Sequence, residues 1–331
     1  MAISVIIPVY NAEEFLRAAV FSAVQQKEVG EILLIDDGSQ DGSLKVCYQA
    51  AADYDNVRVL QHPHGAHLGL AASRNLGIRE ANYDFIAFLD ADDYYLPKRF
   101  GAPFRTLALR PEIDCVYEGV ETFFEPESHR DAYMAIHGKT LVTMDAPYVG
   151  NDLFSAIASG RHGYPSLVGL LVRKESLLRV GLFNEQLEMH DNTALILKLA
   201  ALTSMTPGRI NKPVTRRRVH TNNKSLTTPW DLPTMWQSLW KWARHEARLS
   251  DETYNNVLRH YLLSTLGETP ENHGRRRAIR TIREWMSIVN KYPHIIKRGL
   301  VWRYIKQALR PLLSRPKTVS LETATPNKSV F

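Results

Sequence analysis

Three aspartates at the end of an apolar run are the residues of this sequence with the clearest capacity for chemistry. Asp90, Asp92 and Asp93 follow the apolar residues 85–89 directly. A run this apolar is typical of a strand buried on both faces of a parallel sheet, so the aspartates should lie where the strand ends. Carboxylates in close contact repel one another by about 1 kcal/mol or more per pair. The pattern therefore predicts a cation or hydrogen-bond donors beside them.

Two further strand ends carry polar residues that could share this site. Tyr10 follows a first apolar strand, and Asp36 and Asp37 close a second. In an open parallel sheet, ligands bind outside the carboxyl ends of the strands. Neither GxGxxG nor GxxxxGKS/T follows the first strand, which argues against a dinucleotide site and a P-loop. A divalent cation on Asp92, assisted by a neighbour in the triplet, could instead hold a phosphate, because Mg²⁺ and Mn²⁺ prefer carboxylate oxygens.

The elements that position these residues alternate between strand-like and helix-like periodicity, which is typical of βαβ units. They are, in order, ISVIIPV, AEEFLRAAVFSAVQQ, EILLIDD, residues 42–52, NVRVLQ, LGLAASRNLGIREA and the apolar run before Asp90. The sequence therefore predicts an α/β fold with an open, mostly parallel, Rossmann-like sheet flanked by helices. Farther along, KPVTRRRVH is predicted to be an edge strand, because its proline and three arginines suit a sheet centre poorly. From about residue 227, apolar and basic residues recur at helical spacing.

Composition and charge limit the classes of protein. The chain has 331 residues, 44% hydrophobic and 23% charged, so it can form a full globular core. With two cysteines and no apolar segment of about 18 residues, it is expected to be cytoplasmic, either soluble or peripheral at the inner face of the membrane. Residues 241–317 contain 17 Lys and Arg against 6 Asp and Glu, whereas residues 1–240 contain 23 against 28. The two parts are therefore expected to face different partners.

Four motifs together resemble the first half of the family 2 glycosyltransferases, which have the GT-A fold. They are SVIIPVYNAEEFLRAAVFSAVQQ, EILLIDDGSQDGS, GLAASRNLGI and YDFIAFLDADDYYLP, and the resemblance continues through VGLFNEQL and LILKLA. It covers residues 1–225, which we predict to be a GT-A catalytic domain. Residues 226–313 are predicted to form a basic helical extension, and residues 314–331 a disordered tail. The activity that the resemblance implies is inverting transfer of a sugar from a nucleotide-sugar donor, usually a UDP-sugar, to a hydroxyl acceptor.

The resemblance also implies roles for individual residues. The implied nucleotide-sugar site consists of Pro8, Tyr10, Asp36, Asp37, Arg74, Asn75 and Asp90. Pro8 and Tyr10 would lie against the base, and Asp37 would form a hydrogen bond with it. Asp90 would lie on the ribose side, and Arg74 and Asn75 would lie beside the diphosphate. The implied ligands of a divalent metal, Mn²⁺ or Mg²⁺, are Asp92 and His220. Such a metal stabilises the leaving diphosphate, while a carboxylate accepts the proton of the attacking hydroxyl.

The catalytic base is the point at which this sequence departs from that family. In the family, a Glu-Asp or Gln-Asp pair precedes the apolar helix, and its Asp is the base. A gapless match places Asp191 on the first residue of the pair and Asn192 on the second, and an amide cannot accept the proton. Either Asp191 has taken over, or the acid comes from elsewhere, or activity is weak. We predict that Asp191 is the catalytic residue; the structural alternative is a helix N-cap.

The expected partners are a UDP-sugar, a glycan or lipid-linked acceptor in cell-surface polysaccharide or glycolipid synthesis, and a membrane surface contacted by the basic helices. Nucleic acid is not an expected partner, because no binding motif accompanies the positive charge. Two other functions stay open: a weakly active or inactive nucleotide-sugar-binding relative, and a nucleotidyltransferase. His62, His64 and His67 lie close together in the sequence, but without a recognised ligand spacing they predict a polar loop.

Overall fold

A computed structural model describes residues 2–221, 223 and 231–266. Its first part alternates strands and helices in the predicted order: β1 (Ile3–Val9), α1 (Leu16–Val24), β2 (Val29–Asp36), α2 (Ser43–Asp53), β3 (Val57–Gln61), α3 (Leu70–Glu80) and β4 (Phe85–Phe88). Every residue of β1 and β4 is buried, as the continuous apolar runs indicate. The α/β prediction is therefore confirmed.

The later part adds shorter strands and the helices that close over the sheet. The strands are β5 (Tyr94–Tyr95), β6 (Cys115–Tyr117), β7 (Gly119–Phe124), β8 (Leu141–Val142), β9 (Leu170–Arg173), β10 (Met205–Pro207) and β11 (Pro213–Val219). The helices are α4 (Gly101–Leu109), α5 (His129–His137), α6 (Gly150–Ser159), α7 (Lys174–Arg179), α8 (Asp191–Leu202), α9 (Leu232–Ala243) and α10 (Asp251–Leu266).

The central sheet has seven strands in the order β10-β6-β9-β4-β1-β2-β3. β1 pairs in parallel with both β2 and β4, and β3 extends the parallel set beyond β2. β9 is antiparallel to its two neighbours, β4 and β6. The sheet is therefore mostly parallel, and the loops that follow β2, β1 and β4 lie side by side at its carboxyl end.

A second sheet has four strands in the order β5-β11-β7-β8. The edge position predicted for KPVTRRRVH is wrong, because β11 pairs with β5 on one side and β7 on the other. Pro213 is accommodated because it is the first residue of the strand. The arginines are accommodated because they have partners: Arg216 pairs with Glu121, and the guanidinium of Arg218 lies 4.8 Å from the ring centroid of Phe123.

α3 lies very close to the central sheet at Gly77. A β-carbon at this position would come 2.6 Å from Cγ2 of Ile6 in β1 and 3.1 Å from Cδ1 of Ile35 in β2. The missing side chain lets the helix backbone rest directly on the two strands. This contact fixes the distance between the central sheet and Arg74, which precedes Gly77 by about one turn on the same helix.

Stacked aromatic rings join the last two described helices. Trp236 of α9 stacks on His260 of α10 with ring centroids 4.5 Å apart, and Trp240 stacks on Tyr261 at 5.8 Å. Both tryptophans are buried. The tryptophans at helical spacing in α9 therefore contribute to the core of the protein.

The chain divides into two compact units, Met1–Tyr261 and Leu262–Phe331, and the first unit includes α9. The basic helices predicted beyond residue 266 and the tail predicted for residues 314–331 lie outside the described residues. Within the described part of the chain, no helix combines the length and the hydropathy needed to cross a bilayer. The predicted limits of the catalytic domain stay a prediction.

Candidate active site

The loops after β2, β1 and β4 form the candidate site at the carboxyl end of the sheet. Asp36 is the last residue of β2 and pairs with Val9 at the end of β1. Pro8 lies inside β1, buried and opposite Ile35. Tyr10 is the first residue beyond β1 and is exposed. Pro8 therefore shapes the end of the strand, and Tyr10 is the residue of this pair that a ligand can reach.

Asp37 joins the loop after β2 to the loop before α3. Its buried carboxylate accepts hydrogen bonds from the backbone N–H groups of Leu68 at 2.8 Å and Gly69 at 3.0 Å. Nδ1 of His67 lies 2.9 Å from Oδ2 of the same carboxylate. The Asp36 carboxylate is also buried, and it accepts a hydrogen bond from the side-chain amide of residue 61 at 3.3 Å. Both aspartates therefore fix the loops that surround the candidate site.

Tyr10 and His67 form an aromatic stack beside Asp37. Their ring centroids are 4.1 Å apart and their planes are inclined by 28°. Tyr10 is 47% exposed, so the stack is open to a planar ligand such as a nucleobase. His67 was not predicted as a site residue, because HPHGAHLG was interpreted as a polar loop. The signal that identifies it is its position after β3, a strand parallel to β2 whose carboxyl end lies at the same edge.

Arg74 connects the end of β4 to the start of α8. Its guanidinium is fully buried, and Nη2 donates to Asp90 Oδ1 at 2.7 Å. Nη1 donates to Asp191 Oδ2 at 3.0 Å and to Asn192 Oδ1 at 2.7 Å. The expected cation beside the aspartates is therefore present. It brings Asp191 into the site although 117 positions separate the two residues in the sequence.

Asp191 is the first residue of α8, and it is not the N-cap. The N-cap is His190, whose side chain makes no capping hydrogen bond. Among the residues that the structure describes, Arg74 is the hydrogen-bond partner of the Asp191 carboxylate, through Oδ2. Oδ1 has no hydrogen-bond partner among these residues.

Asn75 positions the segment that precedes α8. Its side-chain amide donates to Phe183 O at 3.0 Å and to Glu185 Oε1 at 2.8 Å, and its oxygen accepts from the N–H of Phe183 at 3.0 Å. The ring centroid of Phe183 lies 5.5 Å from the guanidinium carbon of Arg74. Asn75 thus holds Phe183 against Arg74. The side-chain hydrogen bonds of Asn75 are therefore made to the segment before α8.

Asp92 and His220 meet at the end of β4, with Oδ2 and Nε2 3.0 Å apart. Asn223 Nδ2 donates to the same oxygen of Asp92 at 3.1 Å, and the N–H of His220 donates to Asn223 Oδ1. The His220 ring contacts Phe15, in the loop after β1, with ring centroids 4.8 Å apart. The loop after β1 therefore contacts both halves of the site, through Phe15 here and through Tyr10 at the other end.

The Asp92–His220 pair, joined at hydrogen-bond distance, combines a carboxylate and an imidazole, two side chains that can bind divalent cations. The two side chains are 25% and 15% exposed, so further ligands can approach. Within the part of the chain that the structure describes, no group of three or more His, Cys, Asp and Glu side chains could hold a metal. The remaining ligands of a cation here would be oxygens of substrate and water.

Asp93 is the buried member of the aspartate triplet. Its Oδ1 accepts a hydrogen bond from the backbone N–H of Arg218 in β11 at 2.9 Å. Burial raises the pKa of Asp93 well above its usual range, and the carboxylates of Asp92 and Asp90 raise it further. Asp93 therefore favours its neutral form and joins the loop after β4 to the small sheet.

Comparison of the sequence with known proteins points to one family. Residues 4–136 match the family described as Glycosyl transferase family 2. The chain is 26% identical over 230 residues to an uncharacterized glycosyltransferase of Haemophilus influenzae, which covers 68% of this chain and 71% of that protein. It is 40% identical over 97 residues to the poly(ribitol-phosphate) beta-glucosyltransferase of Bacillus spizizenii, which covers 28% of this chain and 15% of that protein. The chain thus spans far less than two thirds of the second relative.

A solved structure agrees on the fold. TarS of S. aureus, residues 1–349 in complex with UDP-GlcNAc, matches with a TM-score of 0.61 and 17% sequence identity. The match covers 95% of this chain and 86% of the TarS chain. At this identity the likeness establishes the architecture, with its mostly parallel sheet and flanking helices.

Proposed function

We propose that this chain, whose residues 4–136 match glycosyl transferase family 2 and whose fold matches that of TarS, transfers a sugar from a UDP-sugar to a hydroxyl acceptor with inversion. The observation that carries the proposal is the pair of bonds by which Arg74 holds Asp191 beside Asp90. A carboxylate able to accept a proton thereby lies next to the acid expected on the ribose side of the donor. TarS, which shares the fold, binds UDP-GlcNAc in its own structure, and this supports a UDP-sugar as donor.

In this proposal the donor base stacks on Tyr10, whose ring is supported by His67. Stacking of a base on an aromatic side chain contributes about 1–3 kcal/mol. Asp37 acts by holding His67 and the loop before α3 in place, since its carboxylate is buried and bonded to that loop. The diphosphate then extends towards Asp90 and the loop after β4.

Asp92 and His220 are the residues that would hold a divalent cation, Mn²⁺ or Mg²⁺, because a carboxylate and an imidazole lie together there and both side chains are partly exposed. A bound cation neutralises charge that develops on the leaving diphosphate. Asn223 keeps the Asp92 carboxylate oriented, and Phe15 keeps the His220 ring oriented. These two neighbours limit the side-chain motion that metal binding would otherwise have to restrict.

Asp191 is proposed to accept the proton of the acceptor hydroxyl. As that oxygen bonds to the anomeric carbon, the bond from this carbon to the diphosphate breaks, and attack from the opposite side inverts the centre. Arg74 fixes Oδ2 of Asp191 and leaves Oδ1 for the hydroxyl. Asn192 is bonded to the same guanidinium, but its amide oxygen is not basic enough for this step.

The acceptor is proposed to be a glycan or a lipid-linked glycan, in polysaccharide or glycolipid synthesis. The B. spizizenii relative is named for transfer to poly(ribitol-phosphate), and this supports a polymeric acceptor. Contact with a membrane would come from basic residues beyond residue 266, so it stays a prediction from sequence.

Release of UDP or GDP from a panel of nucleotide sugars, measured with Mn²⁺ present, tests the proposal. We expect turnover with a UDP-sugar, no turnover in Asp92→Ala, and a loss of about 100-fold or more in Asp191→Asn. Glu112→Gln removes an exposed carboxylate paired with a neighbour and should retain full activity. Increased turnover in Asn192→Asp, together with an unchanged rate in Asp191→Asn, would contradict the assignment of the base.

Asn192 favours a second candidate, a nucleotide-sugar-binding protein with weak or no transfer activity. This candidate predicts that a UDP-sugar raises the melting temperature, since a ligand bound only to the folded state stabilises it, while nucleotide release stays at background. A nucleotidyltransferase would instead release pyrophosphate. The same reaction mixtures, assayed for both products, separate the three functions.

A further inference from the structure

A cavity of about 790 Å³ lies between α8, α9 and the segment of residues 178–187. Its volume is within the range of sites that bind small organic molecules, about 300–1,000 Å³. Its wall combines cations, amides and an aromatic ring: Arg79, Lys198, Lys241, Gln186, Gln237 and Trp242. Of the residues assigned to the active site, Asn75 is the one that lines it. The cavity is therefore a separate place for a ligand.

Lys198 is a buried cation in the wall of this cavity. Its side chain donates one hydrogen bond, to Leu182 O at 3.2 Å, although an ammonium group has three donors. Lys198 is 6% exposed, and among the described residues it forms no ion pair. A buried charge without a partner is unfavourable, and burial lowers the pKa of Lys198 to about 8. The side chain is still mostly charged at neutral pH, and no carboxylate of the described residues lies within ion-pair distance of it.

Other residues of the cavity wall add to the excess of positive charge. Arg79 and Lys241 contribute two further cations to the lining. Glu185 is the acid among the lining residues that the structure describes, and its Oε1 already accepts a hydrogen bond from Asn75. The cavity therefore favours an anionic ligand.

The ring of Trp242 and the side-chain amides of the cavity wall indicate which class of anionic ligand fits. The ring centroid of Trp242 lies 6.0 Å from Nζ of Lys198. A sugar ring can lay its C–H groups on such an aromatic face, and its hydroxyls suit the side-chain amides of Gln186 and Gln237. We propose that the cavity is a second binding site, for an anionic saccharide that carries a phosphate or a carboxylate. The anionic group pairs with Lys198, and the sugar ring lies against Trp242.

Two kinds of ligand carry an anionic group on a sugar ring: a charged glycan acceptor and a free sugar phosphate. Asp191 and Lys198 are seven residues apart on α8, so they share a face of the helix and lie about 10 Å apart along its axis. A short oligosaccharide spans this distance, so the ligand can be a distal, charged sugar of the acceptor. A free sugar phosphate has the same chemistry. The first source rests on the proposed function, whereas binding itself does not.

Calorimetric titration of the full chain with glucose 6-phosphate tests the site, with excess UDP and Mn²⁺ present to occupy the donor site. We expect saturable binding that is about tenfold tighter than for glucose or inorganic phosphate. Lys198→Met should weaken it by about tenfold and Lys241→Met by a smaller factor. Lys27→Met, which removes an exposed lysine that does not line the cavity, is the control and should leave it unchanged. Binding that is absent, or that is equally strong in Lys198→Met, would overturn the proposal.

Kinetics then separate the two sources. If the cavity holds part of the acceptor, glucose 6-phosphate should raise the KM for a charged glycan acceptor and leave donor hydrolysis unchanged. If it holds a free effector, the rate of donor hydrolysis should change as well. Because the titration needs no transfer reaction, its failure is distinguishable from failure of the proposed function.

Discussion

Replacement of Lys198 by methionine should change the pH dependence of stability in a defined way. Burial lowers the pKa of Lys198 from 10.5 to about 8 in the folded protein. Between these values the unfolded chain binds a proton that the folded protein does not, so the free energy of unfolding of the wild type rises with pH. The difference between the two pKa values corresponds to about 3 kcal/mol in the free energy of unfolding. Below pH 8 both states are charged, and the folded state carries the full desolvation penalty.

Methionine has a similar length and no charge, so the Lys198→Met variant lacks this penalty. Urea unfolding of both proteins from pH 7 to pH 10.5 should show the variant more stable by about 3 kcal/mol at pH 7, with the difference falling towards zero at the upper limit. Subtracting the free energy of unfolding of the wild type from that of the variant at each pH removes the contributions of all other titratable groups. A variant less stable than the wild type at pH 7, or a difference independent of pH, would refute the reasoning. The exposed-site control Lys27→Met should show no such trend.

Three other substitutions test separate contacts. Glu118→Gln leaves the fully buried Arg99 without its carboxylate partner and should lower the free energy of unfolding by about 3–5 kcal/mol in urea titrations, whereas Glu112→Gln, in an exposed ion pair, should have no measurable effect. Arg74→Met should reduce nucleotide release by about 100-fold or more at unchanged helix content by circular dichroism, because Asp90 and Asp191 lose the cation that joins them; a near-normal rate would contradict that role. Tyr10→Ala should weaken UDP binding by about 5- to 150-fold in calorimetry, the value of one base–aromatic stack, and unchanged affinity would place the base elsewhere.

The first half of the fold could be predicted from sequence because local patterns determine it. β1, β2 and β4 contain apolar runs, β3 has valines alternating with an arginine, and the apolar residues of the helices between them recur with helical period. β11 could not be placed in the same way. Its proline and arginines indicate an edge, but whether Arg216 finds Glu121 depends on β7, which pairs with it from almost 100 positions earlier. Partners of this kind are set by the tertiary fold and leave no local signal.

The candidate site shows the same limit. The acids at the strand ends were predictable, since Asp37 directly follows β2, and Asp90 and Asp92 lie two and four residues beyond β4. Their partners were not, because Arg74 reaches Asp191 from a different helix and His67 reaches Asp37 from a loop with polar composition. The sequence therefore predicts which end of the sheet carries the candidate site. The three-dimensional fold determines which charged and polar side chains pair with one another there.

The absence of a β-carbon at Gly77 determines where the charged groups of the candidate site lie. A methyl group in its place would act as a wedge under α3, because Ile6 and Ile35 leave it no room. The helix would have to tilt away from the strands, and the guanidinium of Arg74 would move out of reach of one or both acids. The hydrogen bonds that join Arg74 to Asp90 and Asp191 thus depend on the absence of a side chain at Gly77.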